Sequence, residues 1–105
     1  MLEVSHDTFA QEVLQSERPV LVDFWGPRCG PCLALMPQVE NLERIYGEKV
    51  KVVKIDASKN RRLCLELRVL GLPTYLLYKK GENIGRLTGG GVKIQDIEDL
   101  LKKAL

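Results

Sequence analysis

The sequence lacks the features that are typical of several classes of protein. Of its 105 residues only three are cysteine, one is histidine and one is tryptophan, and 16 basic residues nearly balance 14 acidic ones. A net charge of +2 is too small for a dedicated nucleic-acid binder, and three cysteines are too few for a disulfide scaffold. No apolar run approaches the roughly 20 residues that a membrane helix needs. We therefore expect neither nucleic acid nor a membrane as a partner.

The amino-terminal segment also lacks the features of a secretory signal. Glu3 and Asp7 stand where a signal peptide carries basic residues. Sparse cysteines are typical of the reducing cytosol, where a cysteine pair is catalytic, redox-sensing or metal-binding. The sequence therefore predicts a cytoplasmic protein.

The composition is typical of a single globular domain. It is 45% hydrophobic and 29% charged, with only five prolines. A chain of this length buries roughly two-thirds of its unfolded surface, which is enough for one hydrophobic core. We expect a single domain over residues 1–105 that works as a monomer.

Hydrophobic patterning indicates an α/β fold. Residues 20–25 are β-rich and apolar on both faces, as in a central strand, and residues 50–55 form a second strand. Apolar residues at helical spacing over 30–46 predict a helix that connects the two strands. The three elements form a right-handed βαβ unit with parallel strands. The expected architecture is a central mixed β-sheet flanked by helices on both faces. The remaining patterns predict a helix over 6–16 capped by Ser5, a short helix at 63–67, a hairpin of strands 74–78 and 84–87, and a final helix over 94–104.

The most informative segment is Cys29-Gly30-Pro31-Cys32, between a buried strand and a helix. Residues three apart in a first helical turn face the same way, so the two thiols can form a short-range disulfide. Unpaired N–H groups and the helix dipole favour a thiolate on Cys29, which is the species that attacks disulfides. The charge of Arg28 is expected to lower the pKa of Cys29 further. We predict that Cys29 is the nucleophile and that Cys32, on the apolar side of the helix, is the resolving thiol.

Two other roles for the cysteine pair stay open at this point. A zinc site would need further ligands, and only Cys64 and His6 remain, both isolated in the sequence. A purely structural disulfide would close too few residues to stabilise the fold much. Both alternatives are disfavoured, and we expect no metal site.

With these residues in view, the chain resembles the thioredoxin family. The segment from Val22 to Cys32 is similar to the family's active-site segment, Gly71-Leu72-Pro73-Thr74 to its cis-proline loop, and Gly89-Gly90 to its glycine opposite the cysteines. A Cys-x-x-Cys pair near a βαβ unit is itself a thioredoxin-like signature. The resemblance covers nearly the whole chain. It implies the thioredoxin fold and a protein-disulfide reductase that works by dithiol–disulfide exchange, with no cofactor and with a thioredoxin reductase as electron donor.

The resemblance also implies roles for further residues. Asp23 would be a buried carboxylate beneath Cys32 that accepts its proton; the alternative is a solvated aspartate at a sheet edge. Leu72, before a cis Pro73, would pair with an extended client; the alternative is an ordinary trans turn. Trp25 would contact clients beside the cysteines; the alternative is core packing. The expected client-contact residues are Trp25, Arg28, Gly30, Pro31, Gly71, Leu72, Pro73, Gly89 and Gly90.

Two positions depart from the family pattern. Arg28 stands where the family usually has tryptophan, so a charge replaces an apolar contact surface and the range of partners is expected to change. The position that matches the family's lysine near the buried aspartate is Val52, between Lys51 and Lys54, so no lysine is assigned a role.

A rival function belongs to another class of protein. The chain could be a thioredoxin-like binding subunit whose cysteine pair is incidental, and survival of its function in Cys29→Ser would favour that interpretation. Cys64 lies on the apolar side of a short helix and is expected to be a buried core residue, with a regulatory thiol as the alternative.

Overall fold

A five-stranded mixed sheet forms the centre of the molecule in a computed structural model that describes residues 1–105. The strands are β1 (Leu2–Glu3), β2 (Val20–Trp25), β3 (Lys51–Asp56), β4 (Thr74–Lys79) and β5 (Glu82–Thr88). Their order in the sheet is β1-β3-β2-β4-β5, where β1, β3 and β2 are parallel to one another, β4 is antiparallel to β2, and β5 is antiparallel to β4. The expected mixed sheet is therefore present.

Helices cover both faces of this sheet, also as expected. They are α1 (Gly30–Tyr46), α2 (Arg61–Glu66) and α3 (Ile94–Lys102), with a π-helical segment at Ala10–Leu14 and a 3-10 turn at Ala57–Lys59. Helices α1 and α3 pack on the face that carries Leu21 and Tyr75. The π-helical segment and α2 pack on the opposite face, which carries Val22 and Phe24. Each face of β2 therefore belongs to a separate buried cluster.

The β2-α1-β3 unit places the cysteine segment at the end of the central strand. Helix α1 begins directly after Cys29, whose sulfur accepts a hydrogen bond from the N–H of Cys32, and Pro31 occupies its first turn. Proline is tolerated there because its missing N–H would have had no helical partner. The helix ends at Gly47. The predicted helix over 30–46 is confirmed.

The β4–β5 hairpin closes with a two-residue turn. Lys80 and Gly81 both have positive φ, at 52° and 80°, which is the backbone of the tight turns that match strand twist. The turn lies at the end of β4 opposite Thr74, so the loop that precedes Thr74 is at the same end of the sheet as the cysteines.

The predicted helix over 6–16 is wrong in its extent and its cap. Only Ala10–Leu14 is helical, with π-type hydrogen bonding, and Phe9 rather than Ser5 is at its N-terminal boundary. Phe9 packs edge-on against Tyr78 with ring centroids 5.7 Å apart, a tertiary contact that the local pattern does not contain. Strand β1 was not among the predicted elements.

The helices were also compared with the length and hydrophobicity that a membrane span requires. None of them meets both requirements.

Candidate active site

Cys29 and Cys32 form a disulfide at the start of α1. Their Cα atoms are 5.2 Å apart, within the range that a disulfide requires. The Cys32 side chain is fully buried, while Cys29 is partly exposed and lines a surface cleft. The N–H of Cys32 donates to Sγ of Cys29 at 3.2 Å. The two sulfurs thus differ in access, and the accessible one has a backbone donor aimed at it.

Two loops distant in sequence lie beside the cysteine pair. The Leu72–Pro73 peptide bond is cis, as the resemblance implied. Gly89 N–H donates to the C=O of Pro73 at 2.9 Å, so the glycine loop is held against the cis-proline loop. Gly89 has a φ of 102°, which favours glycine, and a Cβ built on Gly90 would lie 4.0 Å from Cγ of Pro31. The structure therefore brings together the three segments that the sequence singled out.

The cis-proline loop also contacts the segment before the cysteines. A Cβ built on Gly26 would lie 3.2 Å from Cδ1 of Leu72, so these two residues are in close contact. The hydroxyl of Thr74 donates to the C=O of Gly71 at 2.6 Å. Arg28 is exposed and lines the same cleft as Cys29 and Leu72.

Asp23 is a buried carboxyl without a hydrogen-bond partner. It is fully inaccessible to solvent, and neither of its oxygens accepts a hydrogen bond. Burial raises its pKa from the ordinary value of 3.8 to about 7, although the nearby charge of Lys54 lowers it. Asp23 is two residues from Leu21 along β2, so both side chains lie on the sheet face that α1 covers. The alternative of a solvated edge aspartate is wrong.

The lysine assignment from the sequence needs correction. The β2–β3 register pairs Asp23 with Lys54, while Val52 pairs with Leu21. Lys54 is therefore the lysine that faces the buried carboxyl. Lys54 Nζ is also 3.9 Å from Oε1 of Glu3. Parallel strands joined by a helix have no turn to fix their register, so the offset of two residues was not visible in the sequence.

Trp25 lies apart from the cleft that Cys29 lines. Its Nε1 donates to Oε2 of Glu3 at 3.4 Å, and Lys54 Nζ is 5.4 Å from the centre of its ring. The side chain is half-buried and lines a separate cavity beside β1. Its contact with clients stays a prediction.

The other sulfur and imidazole groups do not join the site. Cys64 is a buried free cysteine in the cluster under α2, and burial raises its pKa, as befits a core residue. His6 is exposed and lies 3.3 Å from Glu66. No group of three or more His, Cys, Asp or Glu side chains is arranged to hold a metal ion.

Sequence reasoning missed two residues next to Asp23. One is Lys54, and the signal that could have found it is its charge within the otherwise apolar run 52–55 of β3. The other is Tyr75, which pairs with Asp23 from β4 and has a buried hydroxyl without a partner. A tyrosine in an apolar strand carries no sequence signal that would separate it from ordinary core.

The site combines a disulfide at the start of a helix, of which one cysteine is partly exposed, with a buried carboxyl and a cis-proline loop. This combination is that of a thiol–disulfide oxidoreductase. The family model for thioredoxin matches residues 1–103. The chain is 47% identical over 103 residues to thioredoxin of Acetoanaerobium sticklandii, which covers 98% of each chain. It is also 39% identical over 87 residues to thioredoxin 1 of a Nostoc species, covering 83% of this chain and 81% of that one.

The chain belongs to the thioredoxin family and has the thioredoxin fold. It is a protein-disulfide reductase that acts by dithiol–disulfide exchange, with Cys29 and Cys32 as its redox-active pair. Proteins of this family act on disulfide substrates and are recycled by a reductase. The expectations for fold and activity are confirmed.

Proposed function

We propose that Cys29 attacks client disulfides and that Cys32 resolves the mixed disulfide. The observation that carries this assignment is the difference in access, since Cys29 faces a cleft and Cys32 is fully buried. The N–H of Cys32 would stabilise negative charge on Cys29 Sγ in the reduced protein. A client disulfide can reach only the outer sulfur.

The exchange then proceeds in two steps. Cys29 thiolate forms a bond to one client sulfur, and the client disulfide breaks to release a thiolate. Cys32 thiolate next attacks Cys29 Sγ, which breaks the mixed disulfide and releases the second client thiolate. The client gains two electrons and the Cys29–Cys32 pair is oxidised. A thioredoxin reductase returns two electrons to the pair.

Asp23 accepts the proton that Cys32 loses. A carboxyl with a pKa of about 7 is partly ionised at neutral pH, so it can take up a proton and release it again. Cys32 lies among the buried side chains of α1, and Asp23 is on the sheet face beneath that helix. Lys54, directly opposite Asp23, keeps part of the carboxyl population ionised.

Clients bind along the cis-proline loop. The backbone N–H and C=O of Leu72 make no hydrogen bond within the chain, so both are free to pair with an extended client segment. The contact surface consists of Trp25, Arg28, Gly30, Pro31, Gly71, Leu72, Pro73, Gly89 and Gly90. We further propose that residues 1–105 act as a single, monomeric domain in the cytoplasm, where sparse cysteines and exchange chemistry fit a reducing environment.

Turnover of insulin disulfides by the purified protein tests this assignment. With dithiothreitol as the electron source, the wild type is expected to accelerate insulin reduction, and Cys29→Ser is expected to abolish the acceleration. Cys64→Ser is the matched control and should retain it, because Cys64 lies in the core away from the pair. A wild type no faster than dithiothreitol alone would overturn the proposal.

A further inference from the structure

The cleft next to Cys29 has a basic wall. Its volume is about 700 Å³, and Arg28 and Arg61 line it together with Ser58 and Leu72. No acidic residue is among its lining residues. A client that places its disulfide on Cys29 must therefore lie against two guanidinium groups.

Both guanidinium groups are free to bind. Neither Arg28 nor Arg61 is within ion-pair distance of a carboxylate, and the arginine side chains that make hydrogen bonds within the chain are others, Arg18, Arg44 and Arg86. Asp56, which directly precedes the lining residues Ala57 and Ser58, already accepts hydrogen bonds from the N–H and hydroxyl of Ser58. The positive charge at the cleft is thus not neutralised from within the molecule.

The cleft continues into a second, apolar cavity. This cavity has a volume of about 330 Å³ and shares Ala57, Arg61 and Leu72 with the first. Leu65 and Leu70 line it, and they are 67% and 81% exposed. The two cavities adjoin at these shared residues beside α2 and are together called the groove. A chain segment can occupy both cavities at once, which a small ion cannot.

We propose that this groove selects client segments that carry an acidic side chain beside the reactive half-cystine, an inference that rests on the proposed function. Arg28 and Arg61 bind the carboxylate while the disulfide meets Cys29, and the rest of the segment runs toward Leu65 and Leu70. Guanidinium groups suit this role because they bind carboxylates through two parallel hydrogen bonds. The exchange chemistry itself is unchanged.

Synthetic peptide disulfides of one length test the preference. Three peptides carry Glu, Gln or Lys beside the half-cystine, and kcat/KM is measured for each at low ionic strength. For the wild type we expect kcat/KM for the Glu peptide to exceed that for the Gln peptide by about three- to fivefold, the upper part of the range for exposed ion pairs. The Lys peptide is expected to have a lower kcat/KM than the Gln peptide. Added salt should shrink both ratios because it screens exposed charges.

The variants Arg28→Gln and Arg61→Gln assign the effect to these side chains. Each is expected to lower the Glu-to-Gln ratio, and the double variant should bring it to about one. Arg62→Gln is the matched control, because Arg62 carries the same charge on the same helix but does not line the groove. Its ratio should equal that of the wild type.

The outcomes separate this inference from the proposed function. Equal turnover of the three peptides by the wild type would overturn the inference and leave the reductase assignment intact. A Glu preference that survives in the double variant would also overturn it. Turnover of insulin but of none of the peptides would overturn the inference alone, and turnover of neither would refute the proposed function and the inference with it.

Discussion

Lys54 lies directly opposite Asp23 on the neighbouring parallel strand, on the sheet face that α1 covers. The ammonium favours the ionised carboxyl, but burial favours the protonated one and is the larger effect. The result is a pKa of about 7 for Asp23. A group that titrates near neutral pH underneath the cysteine helix is suited to exchange protons with a thiol.

The burial of Asp23 makes the stability of the protein depend on pH. Between the ordinary pKa of 3.8 and the folded pKa of about 7, the folded chain binds more protons than the unfolded chain. The free energy of unfolding therefore falls as pH rises through this window. We expect Asp23→Asn to raise it at about pH 8 by up to roughly 4 kcal/mol and to have little effect at about pH 3.

Chemical denaturation of the oxidised protein over this pH range measures the effect. Asp7→Asn is the control, because the Asp7 side chain is 97% exposed and its removal should leave the pH dependence unchanged. An Asp23→Asn protein that is less stable than the wild type at about pH 8 would contradict the account of this carboxyl.

Lys54 is expected to tune the pKa of Asp23. Because its charge lowers that pKa, Lys54→Met should raise it above about 7. Carbon-13 NMR of the Asp23 carboxyl as a function of pH reports the value directly. Lys49→Met, at an exposed position two residues before β3, serves as the control. An unchanged titration in Lys54→Met would mean that the two groups do not interact.

The sequence alone predicted the elements of the site better than their alignment with one another. The strand 20–25, the helix 30–46 and the Cys29–Cys32 pair follow from local patterns and agree with the structure. The sequence alone places the position of the family's lysine at Val52 and assigns no lysine a role, whereas the structure pairs Asp23 with Lys54. The register of β2 and β3 is not visible in the sequence because no turn joins these parallel strands.

Two further elements show the same limit of local patterns. Strand β1 is only two residues long and exposed, so it has no hydrophobic alternation to detect. The segment 6–16 buries Phe9 and Val13 as the helical stripe predicted, but Leu14 is 39% exposed. Its backbone follows the contact of Phe9 with Tyr78, which is distant in sequence.

Removal of the hydroxyl group from Tyr75 and from Tyr46 is expected to change the free energy of unfolding in opposite directions. The Tyr75 hydroxyl is buried without a partner, so Tyr75→Phe should raise the free energy of unfolding by about 1 kcal/mol. The Tyr46 hydroxyl donates to Glu98 at 2.6 Å, so Tyr46→Phe should lower the free energy of unfolding. Parallel denaturant titrations give both values, and destabilisation by Tyr75→Phe would refute the assignment of an unpaired hydroxyl.

Arg28 is expected to increase the thiolate fraction of reduced Cys29. Its guanidinium lines the cleft of Cys29 and has no competing carboxylate, so Arg28→Trp should reduce the thiolate present at neutral pH and change partner choice. Ultraviolet thiolate absorbance, titrated against pH, measures this fraction. Arg62→Trp is the control at a position outside the cleft. Superimposable curves for Arg28→Trp and wild type would show that Arg28 does not act on the sulfur.

The division of roles within the cysteine pair is tested most directly by trapping a mixed disulfide. Reduced Cys32→Ser protein is mixed with insulin, and the products are analysed by intact mass and peptide mapping. We predict a stable one-to-one adduct linked through Cys29, and no adduct when Cys29→Ser is treated in the same way. An adduct that forms through Cys32 in the Cys29→Ser protein, or no adduct at Cys29 in Cys32→Ser, would contradict the account.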